Sequence, residues 1–292
     1  MNFSRFRLFR TDLEVVEEVE LRFLSFPGGE RHVWLPEHLR IEACDFTIDA
    51  RIYSSDGVMD LLLLNDALRR MVGDRAVVKL RMPYLPYARQ DRVTVAGEPL
   101  SVKVFCALIN GMKFDSVRLS DPHSPVGPAL LDRVEIETAE GFVRQLLELP
   151  EFVGGVALVA PDAGAHKRVQ AMGQSLDVPV VLCGKSRDTR SGRLSQAQII
   201  GAVDDIPNVP LLVVDDICDG GGTFVALAEM LHQHLDNPIS LFVTHGLYTK
   251  GLEPLRHYRS LYTAYPRDPD LWVRSSGDLY LALTPHIESV AV

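Results

Sequence analysis

The sequence predicts an α/β protein: two consecutive halves, each a mainly parallel sheet flanked by helices. Three observations carry this expectation. Short apolar runs alternate with longer helix-like stretches along the chain, which is the pattern of βαβ units. The run Pro210-Leu211-Leu212-Val213-Val214 is continuously apolar, as a strand buried in the middle of a parallel sheet must be. The alternation also occurs in two series of similar size, and 292 residues suffice for two domains with their own cores.

The elements follow in order. GVMDLLLLNDALRRM (57–71) reads as a helix leading to the strand AVVKLRM (76–82). LSVKVFCALINGM (100–112) is a second helix, leading to the strand DSVRLSD (115–121). The second series runs through GVALVAP (155–161), the helix HKRVQAMGQSL (166–176), VPVVLCG (178–184), VPLLVVDD (209–216) and ISLFVTHG (239–246). No short-period repeat or low-complexity tract interrupts it. The halves meet near 146–155, and we place the domains at 1–148 and 149–292, with the last residues able to pack back on the first domain.

Composition narrows the function. Hydrophobic residues make up 47% and charged residues 24% of the chain, ordinary values for a globular protein. A net charge of −9 argues against broad binding to nucleic acid or an anionic membrane. Cys44, Cys106, Cys183 and Cys218 are scattered and form no CxxC pair, so neither a zinc site nor a disulfide framework is expected. A reducing, cytoplasmic location follows. No apolar run approaches the roughly 20 residues that span a bilayer, and the first residues lack an apolar signal core.

The chemistry concentrates in VVDDICDGGGTF (213–224). Asp215 and Asp216 fall at the carboxyl end of an apolar strand, where open α/β sheets bind ligands. They can accept hydrogen bonds from vicinal hydroxyls or help to hold hydrated magnesium. Asp219, Gly220, Gly221, Gly222 and Thr223 can wrap a phosphomonoester with backbone amides and a hydroxyl, ahead of a helix whose N-terminus favours an anion. The same residues also read as an acidic turn before a helix capped by Thr223.

In MPYLPYARQDRV (82–93), prolines and tyrosines stiffen a loop behind a strand. Arg89, Gln90, Asp91 and Arg92 then supply two fixed cations, an amide and a carboxylate. A guanidinium suits polyphosphate, and Gln90 can read a base edge. A solvated loop with an Arg–Asp pair is the plainer alternative.

These two stretches resemble motifs of the ribose-phosphate diphosphokinase (phosphoribosyl-diphosphate, PRPP, synthetase) family. The first resembles the PRPP-binding motif, which type I phosphoribosyltransferases share; the second resembles the family's ATP-binding segment. Further similarities run in family order along nearly the whole chain. SFPGGE (25–30) resembles a segment whose aromatic residue stacks on adenine from a neighbouring subunit. Phe26 and Glu30 match it, while Gly28 replaces the family aspartate. SDPHSP (120–125) resembles a stretch bearing Asp121 and His123, and APDAGAHKR (160–168) one bearing Asp162. CGKSRDTRSGRLSQAQIIG (183–201) resembles a flexible catalytic loop, which Lys185 and Arg187 match and in which Ser186 replaces a cation.

The resemblance implies two tandem type I phosphoribosyltransferase-like domains that join ATP and D-ribose 5-phosphate to give PRPP and AMP, with Mg2+. It implies that Phe26, Glu30, Arg89, Gln90, Asp91 and His123 bind ATP. Asp162, Asp215, Asp216 and residues 219–223 then hold ribose 5-phosphate, with His123 and Asp162 toward the metal. Lys185 and Arg187 become the catalytic cations. It also implies a homo-oligomer built from dimers, up to a hexamer. Two other functions fit parts of the pattern: a phosphoribosyltransferase that consumes PRPP, and a non-catalytic regulatory homologue.

Overall fold

The structure, a computed structural model, describes residues 4–11, 16–39, 44–73, 75–187, 194–269 and 280–282. They divide into two units, one ending at Thr138 and the other beginning at Ala139.

In the first unit β1 (Arg5–Arg10) and β2 (Glu17–Val19) are followed by the hairpin β3 (Arg22–Ser25) and β4 (Arg31–Trp34). Then come β5 (Asp45–Arg51), α1 (Ser55–Val72), β6 (Val77–Arg81), α2 (Ser101–Gly111), β7 (Ser116–Ser120), α3 (Val126–Leu130) and β8 (Val134–Glu137). The sheet order is β2-β1-β5-β6-β7-β8, and β3-β4 stands apart as a two-stranded ribbon. From β5 to β8 all pairs are parallel. The helix expected at 57–71 starts two residues earlier, because the Ser54 hydroxyl accepts a 3.2 Å hydrogen bond from the Gly57 amide and caps it. Leu61, Leu64 and Leu68 of α1 join Val102, Phe105 and Ile109 of α2 in one core with Ile48, Leu80 and Leu119 of the sheet.

The opposite face departs from the apolar expectation. Arg7, Asp49, Arg81, Arg118 and Glu135 stand in register across five strands. Such cross-strand neighbours share a face. Asp49 and Arg81 are buried and paired at 3.0 Å, with Arg51 also on Asp49 at 2.9 Å. A charge taken from water persists only when paired in this way.

The second unit runs through α4 (Glu140–Leu147), β9 (Ala157–Ala160), α5 (His166–Leu176), β10 (Val180–Arg187), β11 (Leu194–Ile200), β12 (Leu211–Cys218), α6 (Gly222–His234), β13 (Ile239–Gly246), β14 (Ser260–Pro266) and β15 (Tyr280–Ala282). The sheet order is β11-β10-β9-β12-β13-β14-β15. Only β10–β11 is antiparallel. Helices α5 and α6 bury their apolar faces in separate cores, as covering both faces of a parallel sheet requires. Phe142, Val143 and Leu146 of α4 belong to the second unit's core. The division therefore falls N-terminal to the 148/149 boundary read from sequence. The last residues, which that reading lets pack on the first domain, lie outside the described residues.

Two local expectations change. The basic stretch read as a mobile loop from 183 is strand as far as Arg187, because Cys183, Gly184 and Lys185 pair with Ile199, Gln198 and Ala197. Arg190 and Arg193 lie outside the described residues. Thr223 is the second residue of α6 rather than its cap, and no side chain caps that helix. All four cysteines are buried, and none forms a disulfide among the described residues. Among the described residues no helix is long and apolar enough to cross a membrane.

Candidate active site

In the second unit the chain leaves β9 for β10 on one side, and returns to β12 on the other. The crevice beyond the carboxyl ends of β9 and β12 is thus the point where winding reverses, the usual ligand site of an open α/β sheet. Asp162 follows β9 after Pro161. Its Oδ1 accepts hydrogen bonds from the amides of Gly164 at 2.9 Å and Ala165 at 3.3 Å, which turns the chain into α5. Asp215 and Asp216 lie near the end of β12, past its last rung to β9 at Val213.

These two carboxylates are close and shielded. Burial, and then the neighbouring Asp216, hold the pKa of the Asp215 carboxyl well above its ordinary value, against the lowering effect of Arg168. Arg168 donates to Asp215 Oδ1 at 2.7 Å and stands 3.7 Å from Asp216. The sequence reading passed over Arg168, whose six-residue distance from Asp162 has meaning only once α5 is folded back along the sheet.

The turn behind β12 presents backbone amides. Gly221 has φ of 77°, a left-handed conformation that favours glycine. Helix α6 then starts at Gly222, its first amides lacking a side-chain cap. Asp219 is held from the side, by the Thr249 hydroxyl at 2.8 Å and by the Thr249 amide on its carbonyl at 3.1 Å. Cys218 is no nucleophile here, since burial pushes its thiol up to about 12.

Lys185 and Arg187 occupy the end of β10, beside β9, with a register shift between them. Just before them, the Cys183 carbonyl meets His166 Nε2 at 2.7 Å. Pro179 O accepts from β9, so by strand alternation Cys183 O also faces β9. The β9 ladder ends at Leu182–Ala160, and His166 supplies the donor that the short strand does not.

In the first unit, β6 and β7 are adjacent and parallel, so the loops that follow them leave the same sheet edge. The Met82 amide bonds Arg118 O at 2.9 Å and the Ser120 amide bonds Pro83 O at 3.0 Å, fastening one loop to the other strand. Leu85 and Ala88 are buried, while Arg89 and Gln90 are exposed and Asp91 partly so. The amide of Val102 in α2 reaches Gln90 O at 3.4 Å. His123 is exposed behind β7, next to Asp121, which is buried at φ 42°. Phe26, 44% exposed, and Glu30 close the β3–β4 turn through a 2.8 Å Phe26 N–H bond to Glu30 O. Arg31 moors that hairpin to α1, with two 2.7 Å hydrogen bonds to Asp60. A side chain at Gly28 would first meet the flexible end of Glu30.

The second unit's strand order, with its acid pair and glycine turn at the reversal of winding, defines an α/β protein of the phosphoribosyltransferase class. Comparison with known proteins agrees and goes further. Residues 15–112 match the N-terminal domain of ribose phosphate pyrophosphokinase, and residues 143–246 match the phosphoribosyl transferase domain. A ribose-phosphate pyrophosphokinase of Thermococcus kodakarensis is 32% identical over 238 residues, covering 80% of this chain and 79% of that protein. One from Mycoplasma pneumoniae is 29% identical over 238 residues, covering 81% and 70%. The crystal structure of phosphoribosylpyrophosphate synthetase from Mycobacterium smegmatis has the same fold, with a TM-score of 0.76 at 21% identity over 91% of this chain and 86% of that one.

The chain belongs to the ribose-phosphate pyrophosphokinase family, a family of enzymes, as its motifs implied.

Proposed function

We propose that the protein transfers the diphosphoryl group of ATP to the anomeric hydroxyl of D-ribose 5-phosphate, in the cytoplasm, giving PRPP and AMP. The hydroxyl oxygen forms a bond to the β-phosphorus, the bond from that phosphorus to the α-phosphate oxygen breaks, and the hydroxyl proton passes to a base or to water. Such transfers depend on positioning and charge neutralisation. The observation that carries this reading is the pair of partly buried Asp215 and buried Asp216 beside the uncapped start of α6, at the reversal of winding. Hydroxyls and a phosphate on one small ligand suit that combination.

In this reading residues 219–223 hold the 5-phosphate, and Asp162, Asp215 and Asp216 meet the ribose hydroxyls. Arg89, Gln90, Asp91, His123 and Glu30 bind ATP, with Phe26 stacking on adenine across a subunit contact of a dimer-based homo-oligomer. Lys185 and Arg187 neutralise charge as the phosphoryl group moves.

Magnesium fits these residues. A carboxyl whose pKa is raised by burial and a like charge regains its charge beside a cation, and carboxylate oxygens match a hard ion. His123 and Asp162 are assigned to it; when bound, it would neutralise and orient the diphosphate. The test is incubation with ATP, ribose 5-phosphate and Mg2+, with separation of nucleotides and sugar phosphates. Equal amounts of AMP and PRPP are expected, neither forming without ribose 5-phosphate. Release of ADP, or consumption of added PRPP with a nucleobase, would overturn the reading; no turnover would leave a regulatory homologue.

A further inference from the structure

The loop behind β13 is shaped to hold one cation over the phosphate turn. At Gly246 any side chain would run into the Tyr248 ring, since an added Cβ would lie 2.0 Å from Tyr248 Cε2. Tyr248 itself is buried and takes φ of 44°, rare for a bulky residue. Its amide and that of Leu247 both bond Cys218 O, at 3.1 and 2.8 Å. Thr249 then grips Asp219 through backbone and hydroxyl, at 3.1 and 2.8 Å. These contacts lock residues 247–249 onto the start of the turn and leave Lys250 lying along Gly220. A Cβ built at Gly220 would be 3.8, 3.6 and 3.5 Å from Lys250 Cγ, Cδ and Cε. The ammonium is one bond further on. Lys250 is exposed and forms no ion pair among the described residues.

From this placement we infer that Lys250 is a binding residue for the 5-phosphate of the sugar substrate. The inference deepens the proposed function and rests on it. A phosphomonoester approaches a turn that already contains Asp219 and stands beside Asp215 and Asp216. Helix amides alone offer partial charge, felt only within the first turn. The guanidinium of Arg168 is engaged by Asp215. Lys250 adds a full, mobile positive charge at the turn, and charge-assisted hydrogen bonds to phosphate are about twice as strong as neutral ones. The stem along Gly220 positions the ammonium while its head stays in water, as lysine side chains commonly do.

The experiment compares wild type, Lys250→Met and Lys250→Arg. Ribose 5-phosphate binding is measured by calorimetric titration, and kcat and KM are measured for both substrates. Lys250→Met should weaken ribose 5-phosphate binding about tenfold and lower kcat/KM for it to match, through KM, with KM for ATP unchanged. Its affinity should also depend less on added salt. Lys250→Arg keeps the charge and should stay within about threefold of wild type. Wild-type affinity in Lys250→Met, or an equal loss in Lys250→Arg, overturns the role of Lys250 alone. If folded wild-type protein binds no ribose 5-phosphate, the assignment of residues 219–223 falls and this inference with it.

Discussion

Arg31→Met isolates what holds the Phe26 hairpin in place. A two-stranded ribbon is marginal in water, and β3–β4 pairs with no other strand among the described residues. Its moorings are Phe23 against Phe6 at 5.3 Å, buried Val33, and Arg31, which donates twice to Asp60 and also to Ser25. The Asp60 side chain is 2% exposed and that of Arg31 14%, so the change strands a buried carboxylate. Breaking such a pair costs about 3–5 kcal/mol, and we take about 3 because the ribbon can lift and admit water. With roughly 2–4 °C lost per kcal/mol in a unit of this size, melting should fall by roughly 6–12 °C. The ATP KM should rise, because Phe26 and Glu30 ride on the same ribbon. Removing both charges, as Arg31→Met with Asp60→Met, should restore much of the melting temperature. Circular dichroism melts and initial rates supply both readouts. A single variant that melts within about 2 °C of wild type with an unchanged ATP KM would refute this reasoning, as would a double variant no more stable than the single one.

The other predictions address the proposed chemistry. Lys185→Ala should lower kcat at least about 100-fold with little change in ATP affinity, as for a contact made mainly in the transition state; a rise in KM alone would make Lys185 a binding residue. Phe26→Ala should raise the ATP Kd about fivefold or more, given stacking worth about 1 kcal/mol, and leave ribose 5-phosphate binding intact; unchanged ATP affinity would remove Phe26 from the site. The raised pKa of Asp215 means that the folded chain holds this proton more tightly than the unfolded chain. Its contribution to stability is therefore present below the usual carboxylate range and is lost as pH rises from there through the raised value. Asp215→Asn should remove that loss, gaining stability over wild type as pH is raised while activity falls; melts at several pH values check it, and parallel curves would contradict it.

How much the sequence disclosed depended on whether the signal was local. The strand 239–246 and the helix 166–176 were legible to the residue, because an apolar run and a 3.6-residue period are local properties. So was the glycine turn behind β12, whose glycines and aspartates are contiguous. Strand order was not legible: nothing in 155–216 says that β9 lies between β10 and β12, so Arg168 and His166 carried no signal. Asp49 and Arg81 look like interruptions of two strands and become partners only through register. Lys250 lies just past the strand ISLFVTHG, and nothing local in the sequence discloses the side chain's path along Gly220. The hairpin at β10–β11 hid behind its charges, since Lys and Arg in a glycine- and serine-rich stretch read as loop.

The brevity of β9 accounts for much of this site. Its neighbours β10 and β12 are each eight residues long, while β9 has four. Pro161 follows at once and has no amide to extend the ladder. Ending the central strand early opens a crevice between two longer ones, but it also strips hydrogen-bond partners from both. The first turns of the chain beyond β9 replace them: Asp162 bends back onto its own amides, His166 reaches Cys183 on β10, and Arg168 reaches Asp215 on β12. Groups that stabilise the exposed strand ends are, under the proposed function, also the groups that border the substrate. Under the proposed function, the same eight-residue stretch from Pro161 to Arg168 that repairs the sheet also sets the acid pair and the end of β10 in place, one on each side of the ribose.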